Sequence, residues 1–109
     1  MQDLINGIQE NMKKLKDTIT KRYEVAVRRA EAEYEYRSAL GKEMAVAKVE
    51  GMAATSLYDY CRGLPSVAKF RCDRDVFQAQ EDYLEQMIYY YKTEIRIAEN
   101  QLNAERKGQ

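Results

Sequence analysis

The chain has 109 residues, of which 33% are charged, and its 18 basic and 18 acidic side chains leave no net charge. That length allows one domain with a modest core. The charge balance argues against a protein that relies on sequence-independent phosphate binding, which needs an excess of Lys and Arg.

The first predicted element is a long helix over about residues 3–50. Ile8, Met12, Leu15, Ile19, Tyr23, Ala26, Ala30 and Tyr34 follow steps of three and four. The pattern repeats every eleven residues, close to the pitch of a straight helix. Leu40, Met44 and Ala47 resume the stripe after a shift. Gly41 weakens the helix by about 1 kcal/mol relative to Ala and is a place for it to bend. Gly51, with easy access to left-handed geometry, is expected to stop it.

A connector over 51–65 follows. Thr55 or Ser56 is expected to cap a short helix through Leu57, Tyr58 and Cys61, and Gly63 to end it. Leu64-Pro65 predicts an extended step, with Ser66 as N-cap of a last helix over about 66–106. In that helix Phe77, Leu84, Tyr91 and Ala98 recur every seven residues, with Ile88, Ile95 and Leu102 interleaved. This is a heptad seam, interrupted by Arg74 and Glu81. Lys107, Gly108 and Gln109 are expected to fray.

The fold expected from these elements is all-α: one helical domain over 1–109, a long antiparallel, coiled-coil-like hairpin with a short helical connector. Neither long helix can bury its stripe alone, and Tyr23, Tyr34, Phe77 and Tyr91 offer much contact area. A homodimeric bundle would cover more of it. No apolar run approaches the ~20 residues of a membrane span. The start, Met1-Gln2-Asp3-Leu4-Ile5, lacks a basic segment followed by an apolar one, so the expected location is cytoplasmic.

Catalysis finds little support. The chain has no His, which removes the commonest general base and the commonest metal ligand. Two cysteines, Cys61 and Cys72, make neither a disulfide framework nor a zinc site, and they read as reduced, half-buried thiols. Gly41-Lys42 lacks the glycine spacing of a phosphate loop. No catalytic residue, metal site or cofactor is expected.

Binding residues stand out instead. The hairpin tip gathers Tyr58, Asp59, Tyr60, Arg62, Lys69, Phe70, Arg71 and Arg74, with Asp73 and Asp75 among them. Arg71 and Asp75 are four apart and are expected to pair. The tip reads as a partner-binding surface or as a salt-bridged turn that holds the hairpin closed. A helix-turn-helix reading of 55–77 suffers from Asp73 and Asp75, which phosphates repel. In Tyr89-Tyr90-Tyr91, successive residues point about 100° apart. Tyr91 fits the seam, so Tyr89 and Tyr90 project outward, as a dimer or partner contact or as stacking platforms for single-stranded bases. The early basic stretch Lys13, Lys14, Lys16, Lys21, Arg22, Arg28 and Arg29, with Glu24, Glu31, Glu33 and Glu35 beside and after it, reads as a solvated face or as charge matching between subunits.

One pattern has a likeness. Gly51, Thr55, Asp59, Cys61-Arg62-Gly63, then Val67-Ala68, Arg71 and Arg74-Asp75, together with the tail Tyr91-Lys92-x-x-Ile95-Arg96-Ile97, resembles a group of small helical proteins of bacteriophages and prophages of Gram-positive hosts. Their genes lie in early or DNA-metabolism regions. The resemblance leaves the N-terminal part without a distinctive match. It implies the same long-helix, connector, long-helix layout and a phage protein working in the host cytoplasm. It also implies a protein partner from host or phage, such as a host nuclease or a CRISPR-type defence complex that is inhibited by occlusion. The alternative it implies is a nucleic-acid-binding accessory of phage recombination or replication.

Overall fold

The computed structural model describes residues 1–108 and consists of three helices: α1 (Gln2–Val49), α2 (Ala54–Arg62) and α3 (Pro65–Lys107). No strand occurs among the described residues. Gln109, the last of the residues expected to fray, lies outside them. The chain divides into two compact units. Unit 1 is Met1–Glu24 with Glu81–Gln109, and unit 2 is Val25–Gln80.

In both units α1 and α3 run antiparallel. In unit 1 the N-terminal amine lies 3.7 Å from Glu105, and Arg22 lies 3.7 Å from Glu85. In unit 2 Glu33 meets Arg74. Within unit 1 the α3 partner falls as the α1 number rises, so its two segments pair antiparallel, and unit 2, which holds the connector, is a helical hairpin.

The helix ends have local causes. Gly51 has φ +93°. Its N–H donates to the Lys48 carbonyl at 3.1 Å, and the Met52 N–H donates to the Ala47 carbonyl at 3.0 Å. These two bonds form a Schellman cap, completed by Met52 packing onto the cluster that holds Ala47. Gly41, by contrast, lies inside α1, which continues through it without a break. Gly63 caps α2 with φ −85°, a right-handed conformation that does not demand glycine.

Two expected caps are corrected. Ala53, not Thr55 or Ser56, is the N-cap of α2, and no side chain caps that end. Ala54, a strong helix former, takes the first helical position soon after the Schellman turn is complete. Ser66 is likewise not the cap of α3. Pro65 takes the first helical position, where its fixed φ suits the helix and its missing N–H costs nothing. The Leu64 carbonyl accepts from Val67 at 2.9 Å and Ala68 at 2.7 Å.

The α3 seam matches the expected heptads. Phe77, Leu84, Ile88, Tyr91, Ile95 and Ala98 are half-buried and Leu102 is buried, with Arg74 and Glu81 half-buried in the same row. The α1 stripe matches only in part: Ile8, Leu15, Ala26, Leu40 and Met44 are half-buried and Ala47 is buried, as expected. Tyr23 and Tyr34 are 72% and 70% exposed, and Met12, Ile19 and Ala30 are exposed as well. The covered row is Leu4, Ile8, Asn11, Leu15, Thr18, Arg22, Val25, Arg29, Ala32 and Tyr36, with steps alternating between four and three. A heptad helix such as α3 supercoils, and only a row with the same seven-residue period on α1 can follow it. Register therefore overrides hydrophobicity: Asn11, Thr18, Arg22 and Arg29 enter the seam, and the more apolar eleven-residue stripe slides outward.

The main core lies in unit 2. Ala47, Leu57 and Cys61 form a buried cluster, backed by Leu40, Met44, Met52 and Leu64. Val67 and Cys61 are fully enclosed, and Val25, Ala32 and Tyr36 continue the core along α1. In unit 1 only Leu102 is buried among the described residues. The two thiols are free but not alike: Cys61 is buried and Cys72 exposed, so neither is the half-buried thiol expected. No helix is long and apolar enough to cross a membrane.

Candidate partner-binding surface

In unit 2 the face of α1 that follows the Tyr36 turn meets α2 and the start of α3. An open groove of ≈ 340 Å³ lies there, lined by Glu33, Tyr36, Arg37, Leu40, Tyr58, Arg62 and Arg74. Three of the seven are arginines and one is an acid.

Glu33 is shared. Arg37 Nε donates to its Oε1 at 2.7 Å, and Arg74 Nη1 donates to its Oε2 at 3.0 Å. The hydrogen bond from Arg37 and then that from Arg74 hold the Glu33 carboxyl below its ordinary value of 4.5. The same contact, first among several, raises Arg74. Arg74 also donates through Nε and Nη2 to Asp75 at 3.1 and 3.0 Å. Its guanidinium lies 4.8 Å from the centre of the Tyr36 ring, within cation–π range. Arg74 thus ties α3 to α1, and Asp75 takes Arg74 as its partner rather than the expected Arg71.

Arg62 differs. Its guanidinium lies 5.9 Å from the Tyr58 ring. Its Nε is buried and finds no acceptor among the described residues. The groove therefore has one carboxylate serving two arginines and a third arginine with a stranded donor. A buried N–H without an acceptor costs about 1–3 kcal/mol, and the Arg62 side chain lines the groove, where an arriving carboxylate would form a charge-assisted pair with the arginines.

The structure brings Tyr58, Arg62 and Arg74 together in this groove and leaves the other expected tip residues outside its lining. Asp59 and Tyr60 are exposed on α2, Lys69 is exposed and Arg71 half-buried on α3. Tyr89 and Tyr90 are exposed, as expected, but they belong to unit 1. Sequence reasoning missed Glu33, Tyr36 and Arg37 as groove residues. Glu33 and Arg37 stand four apart, the spacing of a helix ion pair. A heptad row through Arg22 and Arg29 leads to Tyr36, which is only 5% exposed.

The basic stretch of α1 is interleaved with acids of the same helix. Lys14 lies 3.4 Å from Glu10, one turn before it. Asp17 precedes Lys21, and Glu24 precedes Arg28, by the same four residues. An acidic row thus runs alongside the basic one, which weakens the field a nucleic-acid backbone would need. Among the described residues no three His, Cys, Asp or Glu side chains come together as a metal site. Comparison with protein-family models, with curated proteins and with solved structures finds no match to this chain.

Proposed function

We propose that this chain is a non-enzymatic protein-binding module, and that its groove at Arg62 takes an acidic side chain of the partner. The excess of cations in the groove, three arginines to one glutamate, carries this reading. Tyr58 beside Arg62 supplies the flat apolar surface, and an Arg–Tyr pair is the composition of an interface hot spot. The resemblance to phage proteins supports a partner class: a host nuclease or a CRISPR-type defence complex, inhibited because the bound hairpin occludes its working surface.

The test is affinity capture from host cells with the full chain and with two variants, Arg62→Glu and Tyr58→Ala. The intact chain should retain one protein at near-stoichiometric yield. Arg62→Glu should lower its affinity at least tenfold in a purified binding assay, and Tyr58→Ala several-fold. Equal retention by the intact chain and Arg62→Glu would overturn the groove assignment. Failure to retain any protein, together with tight and salt-sensitive retardation of DNA or RNA, would replace the proposal with nucleic-acid binding.

A further inference from the structure

In unit 1, α3 carries a second row beside its seam. Tyr83, Tyr90 and Ile97 recur every seven residues and stand 63%, 52% and 44% exposed. Half-buried Met87 and Glu94 interleave with them. The steps of four, three, four and three are those of the seam itself, so the row keeps a constant angle to the seam as the helix winds. A face this wide is what a helix shows when it packs in a bundle of more than two. The pairing with α1 leaves the Tyr83, Tyr90 and Ile97 edge of that face exposed.

The strip around this row is almost free of charge. Gln86 and Thr93 flank it, and Glu94 is the one Asp, Glu, Lys or Arg in it, in a chain that is 33% charged. Depletion of charge, with tyrosine and methionine enriched, marks the buried centre of protein interfaces.

We infer that a second copy of this chain packs on this strip, with the two α3 helices antiparallel and a two-fold axis near Tyr90. Two observations favour a copy over a different protein. A neutral strip needs no oppositely charged partner. Its amides and hydroxyls both donate and accept, so they pair with their own kind, as a two-fold interface requires. Its single charge also sorts the orientations. Parallel packing sets Glu94 beside Glu94 of the second copy. Antiparallel packing about Tyr90 sets it against Gln86, and it separates the two carboxylates by about 12 Å along the axis, more than the ~8 Å screening length at physiological salt. Tyr83 then meets Ile97 of the second copy.

The area sets the strength. A fully covered aromatic buries 150–250 Å², so each half-exposed tyrosine has on the order of 100 Å² left to cover. With Ile97, Met87 and the amide flank, the strip offers roughly 400–500 Å² per copy. That is the low end for a specific interface, which implies a dimer forming at about micromolar concentrations or above.

The first test is sedimentation of the full chain from about 1 to 500 µM, a range set by that area. The expected result is a monomer–dimer equilibrium. Tyr90→Lys, which puts two like charges at the axis, should weaken dimerisation at least tenfold, and Tyr23→Lys, at a more exposed tyrosine on α1, should leave it unchanged. The second test needs no destabilising change. In a Cys72→Ser background, Tyr90→Cys should cross-link to itself on mild oxidation. Tyr83→Cys should not, but a mixture of Tyr83→Cys and Ile97→Cys chains should. A monomer throughout the range overturns the inference. So does efficient self-linking of Tyr83→Cys, the signature of parallel packing, or a dimer that Tyr90→Lys leaves intact.

Discussion

Glu33 accepts hydrogen bonds from two arginines, and its carboxyl is held below its ordinary value in the folded chain. A depressed carboxyl stabilises the fold above its unfolded value of 4.5, and that contribution disappears as pH falls through the lower, folded value. Urea denaturation between pH 7 and pH 2 should show stability falling in that window. Glu33→Gln should cost about 0.5–1 kcal/mol at pH 7, as a partly exposed pair does, and should flatten the acid slope. An unchanged slope would show that Glu33 has no part in it. Cys61 and Cys72 give a second residue-scale prediction. A thiol reagent should modify exposed Cys72 in the native chain and reach buried Cys61 only as urea unfolds it. Both roles were hard to see beforehand. Whether a cysteine is enclosed depends on which helix lies across it, and Glu33 looked like one member of an acidic run until Arg74 arrived from the other helix.

At the scale of the element, two glycines of one helix behave oppositely. A Cβ would meet nothing within 4 Å at either Gly41 or Gly51, so packing does not separate them. Backbone conformation does. Gly51 sits at φ +93° and closes the Schellman cap, while Gly41 lies in the helical interior. Gly51→Ala should destabilise by about 1–2 kcal/mol, and Gly41→Ala should stabilise by about 0.5–1 kcal/mol. Both follow from urea midpoints of the two variants, and a shared sign would refute the argument. The stop at Gly51 was legible because glycine after a long periodic helix has few other uses. The start of α3 was misjudged because Ser66 is a good cap in isolation. Pro65, one residue earlier, is a better first helical residue.

For the molecule as a whole, the helical class was legible from periodicity alone, and so was the α3 seam, where the heptads are nearly unbroken. The buried row of α1 was not, because hydrophobicity and register disagree there: the apolar residues repeat every eleven and the covered ones every seven. Tyr23 and Tyr34 were placed inside for the first reason and lie outside for the second. The groove was half legible. Tyr58, Arg62 and Arg74 stood out as an aromatic and basic cluster, but their α1 neighbours depend on the register that the stripe concealed.

That same displacement decides how stability is distributed. Among the described residues, unit 2 holds seven of the eight buried apolar side chains and unit 1 only Leu102. Ordering one residue's backbone costs about 1–2 kcal/mol, so unit 1 of an isolated copy has little burial to set against that cost and should open locally well below the global unfolding free energy. Native-state hydrogen exchange at low protein concentration should therefore find amides around Val67 and Cys61 protected most, and those of 5–20 and 85–100 exchanging faster by about tenfold or more per 1.4 kcal/mol of difference in opening. If a second copy covers Tyr83, Tyr90 and Ile97, raising the concentration should slow exchange around those residues and leave the α2 region unchanged, because a ligand stabilises the segments it orders. Equal protection of both units in the dilute monomer would mean that the half-buried seam alone holds unit 1, and that its exposed tyrosines are not needed for order.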